Sequence, residues 1–138
     1  MRLLVTGASS FVGAHFCVRA SAAHEVVALH HTTALRLNNV TPIKADLRHR
    51  RDVTKLGAEP FDAVVHLATK VKGKGARETN AAMMDAVLSF KRPVVYASST
   101  VVHWAQESPY RESRRDDEQR LQESGLPYAV LRPSAPYG

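Results

Sequence analysis

The stretch Arg2-Leu3-Leu4-Val5-Thr6-Gly7-Ala8-Ser9-Ser10-Phe11-Val12-Gly13 begins the chain with an apolar run that a glycine interrupts. The run before Gly7 is typical of a strand, and the apolar residues after it recur at helical spacing. Gly7 allows the backbone to turn sharply and to lie close to a pyrophosphate, whose charge the first amides of the next helix would meet. At Gly13 a missing side chain lets that helix pack closely against the strand. Strand, glycine turn and helix in this order predict the start of a dinucleotide-binding βαβ unit.

Two glycines at the spacing Gly-x-x-x-x-x-Gly also fit an ordinary corner between a strand and a helix. Many phosphate-binding loops carry a third glycine between these two, and that position here holds Ser10. The flanking strand and helix favour cofactor binding over a plain corner. The candidate phosphate-binding residues are Gly7, Ser9, Ser10, Phe11, Val12 and Gly13.

Length and composition predict one globular domain. The chain has 138 residues, of which 44% are hydrophobic. No apolar run approaches the ~20 residues that span a bilayer, and the residues after Met1 lack the unbroken apolar core of a signal peptide. Cys17 is the only cysteine, so we expect a small buried side chain, no internal disulfide and a cytoplasmic location.

The net charge of the chain is +6, and much of the excess lies between Lys44 and Arg77. A basic face of this kind has three interpretations: it binds nucleic acid, it attracts a phosphorylated cofactor or substrate, or it is ordinary solvated surface. No phenylalanine, tyrosine or tryptophan adjoins a cation in this segment. Aromatic side chains that could stack on nucleic-acid bases are therefore not placed among the cations, and nucleic-acid binding ranks last of the three interpretations.

Strand and helix signals alternate along the whole chain. Beyond the first strand, the predicted strands are His24–His30, Val40–Leu47, Phe61–Ala68, Pro93–Thr100 and Tyr128–Arg132. The predicted helices are Phe11–Ala23, Arg48–Leu56, Glu78–Phe90 and Pro109–Ser124. Because parallel strands need right-handed crossovers, this alternation predicts an α/β fold, a doubly wound parallel sheet with helices on both faces.

The end of the second strand bears on the choice of cofactor. NAD-binding units usually carry an acidic residue there, which holds the ribose hydroxyls. This chain has His30 instead, followed by His31 with Arg36 nearby, and the missing acid permits the 2′-phosphate of NADP. Adjacent residues of a strand point to opposite faces, so the two histidines make a poor ligand pair and we predict no metal site.

Two further segments leave alternatives open. Asp46 ends the third strand, where its carboxylate would accept a hydrogen bond from an adenine amino group or cap the helix that follows. The segment Thr69–Arg77 contains two glycines and four basic side chains, and we expect a mobile loop there. Its Lys-Gly-Lys-Gly run lacks the spacing and the ending of a P-loop.

Three residues around the fifth strand form the candidate chemical group. Ser99 lies at the end of that strand, Tyr110 begins the next helix, and Arg114 lies four residues later on the same helix face. A phenol is a poor base at neutral pH, and a neighbouring cation stabilises its anionic form. Ser99 would hydrogen-bond a substrate oxygen while Tyr110 moves a proton.

Short motifs along the chain follow one family pattern. They are Thr6–Gly13, Ala45–Arg48, Asp62–Ala68, Thr79–Asn80, Tyr96–Ser99, Ser108–Tyr110 with Ser113 and Glu118, and Leu131–Pro133 with Tyr137–Gly138. In this order they resemble the extended short-chain dehydrogenase/reductase family, the NAD-dependent epimerase/dehydratase group, which acts largely on nucleotide sugars. The resemblance runs from end to end of the chain and is far more specific than the glycines alone.

The resemblance implies a Rossmann-type fold that binds NAD or NADP, with the pyrophosphate on the turn from Gly7 to Gly13 and the adenine at Asp46. Ser99 and Tyr110 would be the catalytic pair acting on a small-molecule substrate. In the family a lysine four residues after the tyrosine bonds the nicotinamide ribose. The other cofactor-binding residues implied are His30, Leu47, Leu67, Ala68 and Asn80, the last as a hydrogen-bonding support.

The chain departs from the family pattern at several positions. Arg114 stands where the lysine is usual, which keeps the charge but changes the hydrogen-bond geometry. The link from Ser99 to Tyr110 is short, and His103-Trp104 replace a Tyr-Gly pair. The family's substrate region lies beyond the sixth strand, so we expect residues 1–138 to form a single domain, truncated relative to the family.

Three functions remain open on the sequence. The first is hydride transfer between nicotinamide and a substrate carbinol, and the others are a non-catalytic NAD(P)-binding sensor or partner subunit and an inactive fragment. Arg114 and the truncation favour the second. The resemblance also implies a homodimer through the helices around Met83–Phe90 and Asp116–Leu121, although the charge on the second helix leaves a monomer open.

Overall fold

The computed structural model describes residues 1–134, in which six parallel strands form one sheet. The strands are β1 (Arg2–Thr6), β2 (Glu25–His30), β3 (Val40–Lys44), β4 (Ala63–His66), β5 (Val94–Ala97) and β6 (Tyr128–Leu131). The helices are α1 (Phe11–Ala20), α2 (Arg50–Gly57), α3 (Ala76–Ser89) and α4 (Pro109–Glu123), with a 3₁₀ turn at Thr100–His103. Within this part of the chain no helix combines the length and the apolar character that crossing a bilayer requires. Tyr137 and Gly138, the last family motif, lie outside the described residues.

The strand order is β3-β2-β1-β4-β5-β6, and every neighbouring pair is parallel. From β1 the chain winds outward to β2 and β3, then returns to β4 on the other side of β1. Right-handed crossovers therefore place α1 on one face of the sheet and α2, α3 and α4 on the other. The predicted doubly wound sheet with helices on both faces is confirmed. Its winding reverses at the carboxyl ends of β1 and β4, where open sheets of this type bind ligands.

Each face of the sheet has its own hydrophobic core. Leu4 packs with Leu56 of α2 and Met84 of α3, while Val5, its neighbour on β1, packs with Cys17 of α1. None of these five side chains is more than 1% exposed. Burial raises the pKa of the Cys17 thiol to about 11, which fits the packing role expected for it.

The turn after β1 leaves no room for side chains at its two glycines. Gly7 has φ +67°, and a Cβ there would lie 2.6 Å from the backbone nitrogen of Ala68, after β4. A Cβ at Gly13 would lie 2.2 Å from the carbonyl oxygen of Gly7. Between them, Ser10 caps α1 by accepting a hydrogen bond from the Gly13 amide at 3.1 Å. The turn, α1 and the end of β4 are thus packed backbone against backbone.

The structure moves several predicted boundaries. The first helix ends at Ala20 instead of Ala23, because the next residues form a turn whose amides bond to carbonyls of the last helical turn. The second helix begins at Arg50 instead of Arg48, because Asp46 holds Arg48 in the turn before it. Asp46 therefore does not cap that helix; His49 occupies the cap position without a side-chain hydrogen bond.

The segment between β4 and α3 also differs from the expected loop. The third helix begins at Ala76, after Gly75 with φ +71°, so the helix takes in the last residues of the predicted loop. The Asn80 side chain accepts from the Lys70 amide at 2.7 Å and donates to the Lys70 carbonyl at 3.0 Å. These two hydrogen bonds tie the start of the segment to α3.

Replacing Gly13 by alanine is expected to lower the free energy of unfolding by about 3 kcal/mol, because the new methyl group would meet the Gly7 carbonyl. The matched control is Gly57→Ala at the end of α2, where a Cβ would meet only the Phe90 ring at 3.4 Å. That change should stay within about 1 kcal/mol of the wild type. Urea unfolding followed by circular dichroism measures both, and equal stabilities of the two variants would contradict the packing described.

Candidate functional site

A cleft of about 900 Å³ opens at the carboxyl ends of the strands, where the winding of the sheet reverses. This volume lies in the range of ligand-binding clefts. The predicted residues that line it are Gly7, Ser9, Ser10, Phe11, Val12, His30, Asp46, Leu47, Leu67, Ala68, Ser99 and Tyr110. Gly13, Asn80 and Arg114 lie behind this wall, all three buried. The sequence therefore located the walls of the cleft, and their roles stay predictions.

The glycine turn provides a site for an anion. The amides of Phe11 and Val12 are the first of α1 and have no carbonyl partner within the helix. They lie at the positive end of the helix dipole, and the neighbouring Ser9 and Ser10 side chains are exposed at the cleft. Backbone donors, hydroxyl groups and the dipole together suit a phosphate group.

The end of the cleft beside β2 and β3 is built on Asp46. Arg48 donates from Nε to Oδ1 at 2.9 Å and from Nη2 to Oδ2 at 2.6 Å, and Nε2 of His31 lies 3.3 Å from Oδ2. The hydrogen bonds from Arg48 hold the pKa of the Asp46 carboxyl well below its usual range. Both oxygens are thus already engaged, and an adenine amino group would have to share them with Arg48.

Basic and imidazole groups surround this end of the cleft. His30 lines it from the end of β2, followed by His31 and Thr32, with Arg48 opposite. The Nδ1 atom of His30 is buried and has no hydrogen-bond partner among the described residues. Within residues 1–134, no group of three or more histidine, cysteine or acidic side chains is arranged to hold a metal ion.

Thr6 connects the glycine turn to β4 from below. Its Oγ1 accepts from the amides of Leu67 and Ala68, each at 3.2 Å, and lies 2.7 Å from Nδ1 of His66. Because the hydroxyl oxygen already accepts hydrogen bonds from two amides, we infer that the hydroxyl donates to Nδ1 of a neutral His66, which acts as the acceptor. Burial, and then the charge of Arg114, lower the pKa of His66 to about 3. The floor of the cleft is therefore uncharged at this point.

The wall after β5 carries the candidate chemical group. Ser99 and Tyr110 both line the cleft, and the Ser99 Oγ accepts from the Val101 amide at 3.3 Å at the start of the 3₁₀ turn. Tyr110 is half-buried near the start of α4. Arg114 is 1% exposed, and its guanidinium carbon lies 5.4 Å from the centre of the Tyr110 ring. The three residues are brought together, but Arg114 lies beneath the tyrosine instead of in the cleft.

Asn80 supports the site from α3. Besides its two bonds to Lys70, it donates to Oγ of Ser113 on α4 at 2.9 Å. Lys70 itself lines the cleft, so this side chain connects a cleft residue to the helix that carries Tyr110. The role expected of Asn80 in supporting the cofactor site stays a prediction.

Several residues of the site were not predicted from the sequence. Met83 lines the cleft together with Thr79, one helical turn earlier, while Met84 is the buried core residue. Asp117 was given no role, although its carboxylate binds Arg114 at 3.0 Å. The spacing of three residues between Arg114 and Asp117 on a predicted helix was the available signal.

Comparisons with known proteins agree with this architecture. A model of the NAD dependent epimerase/dehydratase family matches residues 3–138. UDP-glucose 4-epimerase from Bifidobacterium longum, in complex with NAD+ and UDP, superposes with a TM-score of 0.82 at 16% identity, over 96% of this chain and 52% of that one. WbmH from Bordetella bronchiseptica, in complex with NAD+, gives 0.77 at 19% identity, over 95% and 55%. The holo form of an L-threonine dehydrogenase from Cupriavidus necator gives 0.83 at 16% identity, over 96% and 54%.

Identities this low show a shared fold alone, and the chain spans about half the length of these structures. Among curated proteins, none matches the chain in sequence. The family model, by contrast, covers nearly the whole chain, in agreement with the motifs from Thr6 to Pro133. The chain belongs to the NAD dependent epimerase/dehydratase family.

Proposed function

We propose that this chain is the NAD(P)-binding domain of an oxidoreductase that transfers hydride to or from a substrate carbinol. The observation that carries the proposal is the shared cleft: the glycine turn at one wall and the Ser99–Tyr110 pair at the other. Solved relatives of the same fold hold NAD+, and one holds NAD+ with UDP, which supports a nucleotide-sugar-like substrate.

The residues present fit a dinucleotide. Unpaired helix amides suit the pyrophosphate, and the exposed Phe11 with Leu67 and Met83 offers apolar surface for flat rings. The buried Nδ1 of His30 lacks a partner within the described part of the chain, and a ribose hydroxyl or a phosphate oxygen would supply one. These contacts account for both ends of an extended cofactor.

Within this proposal Tyr110 and Ser99 carry the chemistry of the chain. A bound nicotinamide would supply the hydride acceptor and donor. Tyr110 takes the proton from the substrate hydroxyl at its Oη atom and returns it in the reverse direction. Ser99 donates a hydrogen bond from Oγ to the same substrate oxygen, and the apolar wall around Met83 excludes water.

A non-catalytic NAD(P)-binding protein is the second candidate. One observation favours it: the guanidinium of Arg114, at the position where the family has a lysine, binds Asp117 below the cleft. An inactive fragment is the third. A homodimer through α3 and α4, a cytoplasmic location and a single truncated domain stay predictions.

The cofactor site is tested by Ser9→Glu, with Ser9→Gln as a neutral control of similar size. A carboxylate at this exposed position would repel the pyrophosphate. Two like charges ~4 Å apart near a protein surface repel each other by roughly 1–4 kcal/mol. We expect NAD to bind at least ten times more weakly to the glutamate variant and nearly normally to the control. A negative charge just before α1 also interacts favourably with the helix dipole. The glutamate variant should therefore stay folded, and unfolding would not explain a loss of NAD affinity. Titration calorimetry gives the affinities, and equal values for both variants would contradict the site.

The choice of cofactor is tested at His30. The wild type should bind NADP in addition to NAD, because His30 stands where an acid is usual and the Arg48 guanidinium lies at the same end of the cleft. His30→Asp should weaken NADP about tenfold relative to NAD, and His30→Asn should not. Competitive titration with both cofactors decides this, and a wild-type preference for NAD above about a hundredfold would refute it.

Catalysis is tested with Tyr110→Phe, which keeps the ring and removes the hydroxyl. NAD affinity should stay unchanged, while reduction of NAD by a panel of nucleotide sugars should fall by about a hundredfold or more. We expect the wild-type turnover to be weak, because Arg114 stands where the family has a lysine and its guanidinium lies beneath the tyrosine. Tight NAD binding with no wild-type turnover would favour the non-catalytic protein. The absence of both NAD binding and turnover would favour the inactive fragment.

A further inference from the structure

Arg114 lies between two tyrosine rings. Its guanidinium carbon is 5.3 Å from the centre of the Tyr96 ring and 5.4 Å from that of Tyr110. Both distances lie within the ~6 Å at which a cation is attracted to an aromatic face. Tyr96 is fully buried on β5, and Tyr110 lines the cleft. The guanidinium therefore links the sheet to the ring that faces the cleft.

A single carboxylate oxygen holds this cation in place. Oδ2 of Asp117 accepts from Nη2 of Arg114 at 3.0 Å and from the Tyr96 hydroxyl at 2.9 Å. Asp117 is 1% exposed, and its other oxygen makes no hydrogen bond within the described residues. Arg120 approaches that oxygen only to 4.0 Å. Arg114 is thus the principal partner of the Asp117 charge.

We propose that Asp117 and Tyr96 are positioning residues that hold Arg114 beneath Tyr110, and that Asp117 sets how much of the Arg114 charge acts on the phenol. The inference rests on the proposed role of Tyr110 in the cleft. Tyr96 supplies the flat surface on the far side of the guanidinium, and Asp117 supplies both the anchor and the opposite charge.

An arginine suits this place better than a lysine. The guanidinium lies over two rings while one of its nitrogens donates to a carboxylate. Its planar, delocalised fork suits this combination of contacts better than a compact ammonium. On α4, Tyr110, Arg114 and Asp117 are spaced by four and then three residues and so share one face. Asp116, the next residue back from Asp117, instead binds Arg77 of α3 at the surface.

The surroundings leave Asp117 as the main counter-charge. Burial raises the pKa of Tyr96. Burial also raises the pKa of the Asp117 carboxyl, although the charge of Arg114 acts in the opposite direction. His66 stays neutral because burial lowers its pKa. At alkaline pH the carboxylate is charged and Tyr96 is not. The titratable and charged groups facing the pair are Tyr96 on β5, His66 on β4, Tyr110, Asp116 and Arg120 on α4, and Asp85 of α3 through Arg120.

The test is the ultraviolet phenolate signal of Tyr110 at one alkaline pH, obtained by subtracting the Tyr110→Phe version of each protein. Asp117→Asn keeps the shape and removes the counter-charge, so the Tyr110 phenolate should rise by about threefold or more. The double variant Arg114→Gln/Asp117→Asn keeps planar groups at both positions and removes both charges. Its phenolate signal should fall below that of the wild type. The matched control Asp116→Asn, one residue away at the surface, should leave the signal unchanged.

A merely structural pair would change stability without moving this signal. If Asp117→Asn and the double variant both give the wild-type phenolate fraction, the proposal is overturned. If Asp117→Asn does not fold, the double variant decides alone, since a neutral pair of similar shape is tolerated better than a lone buried charge. NAD titration of the wild type is a separate measurement: its failure would remove the proposed function but leave the phenolate comparison valid.

Discussion

The close contact between the turn after β1 and the end of β4 is the constraint on which the site depends. A side chain at Gly7 would collide with the backbone of Ala68, and Thr6 bonds the two amides that follow β4. This contact places the first amides of α1 at the point where the winding of the sheet reverses. It also brings β4 and β5, and with them the wall that carries Tyr110, to the other side of the same cleft. Ligand binding and chemistry can share one opening because two backbone segments meet without side chains between them.

The charges around the cleft are arranged in two layers. At the surface, Lys70 offers positive charge to an incoming anion, and Arg48 lines the cleft while paired with Asp46. Below it, the groups are neutral or paired: His66 is uncharged, and the charge of Arg114 is opposed by Asp117. Since a lone buried charge is costly, this neutral or paired lower layer can pack densely against the sheet while the upper layer stays exposed at the cleft.

The sequence predicted the fold and the cleft walls better than the contacts beneath them. Alternating strand and helix signals fix the winding, and the winding brings strand ends such as His30 and Ser99 to one edge. Side-chain partners do not follow from periodicity. Asp46 was expected to meet adenine or cap a helix. Its oxygens bind Arg48, two residues away, so it does not cap the helix, and the adenine contact stays a prediction. Arg114 was expected beside Tyr110, but helix spacing could not show that its guanidinium also lies over the ring of Tyr96 on β5.

The Arg114–Asp117 pair is better explained by the site than by stability. Removing one partner of a buried ion pair costs about 3–5 kcal/mol, yet replacing the whole pair by neutral groups of similar shape is often harmless. Stability alone therefore does not require charges at these two positions. What neutral residues could not provide is a cation close beneath Tyr110, with a compensating carboxylate that also accepts a hydrogen bond from Tyr96. The arginine at this position is then one member of a unit with Asp117 and Tyr96, and its effect on Tyr110 depends on all three residues.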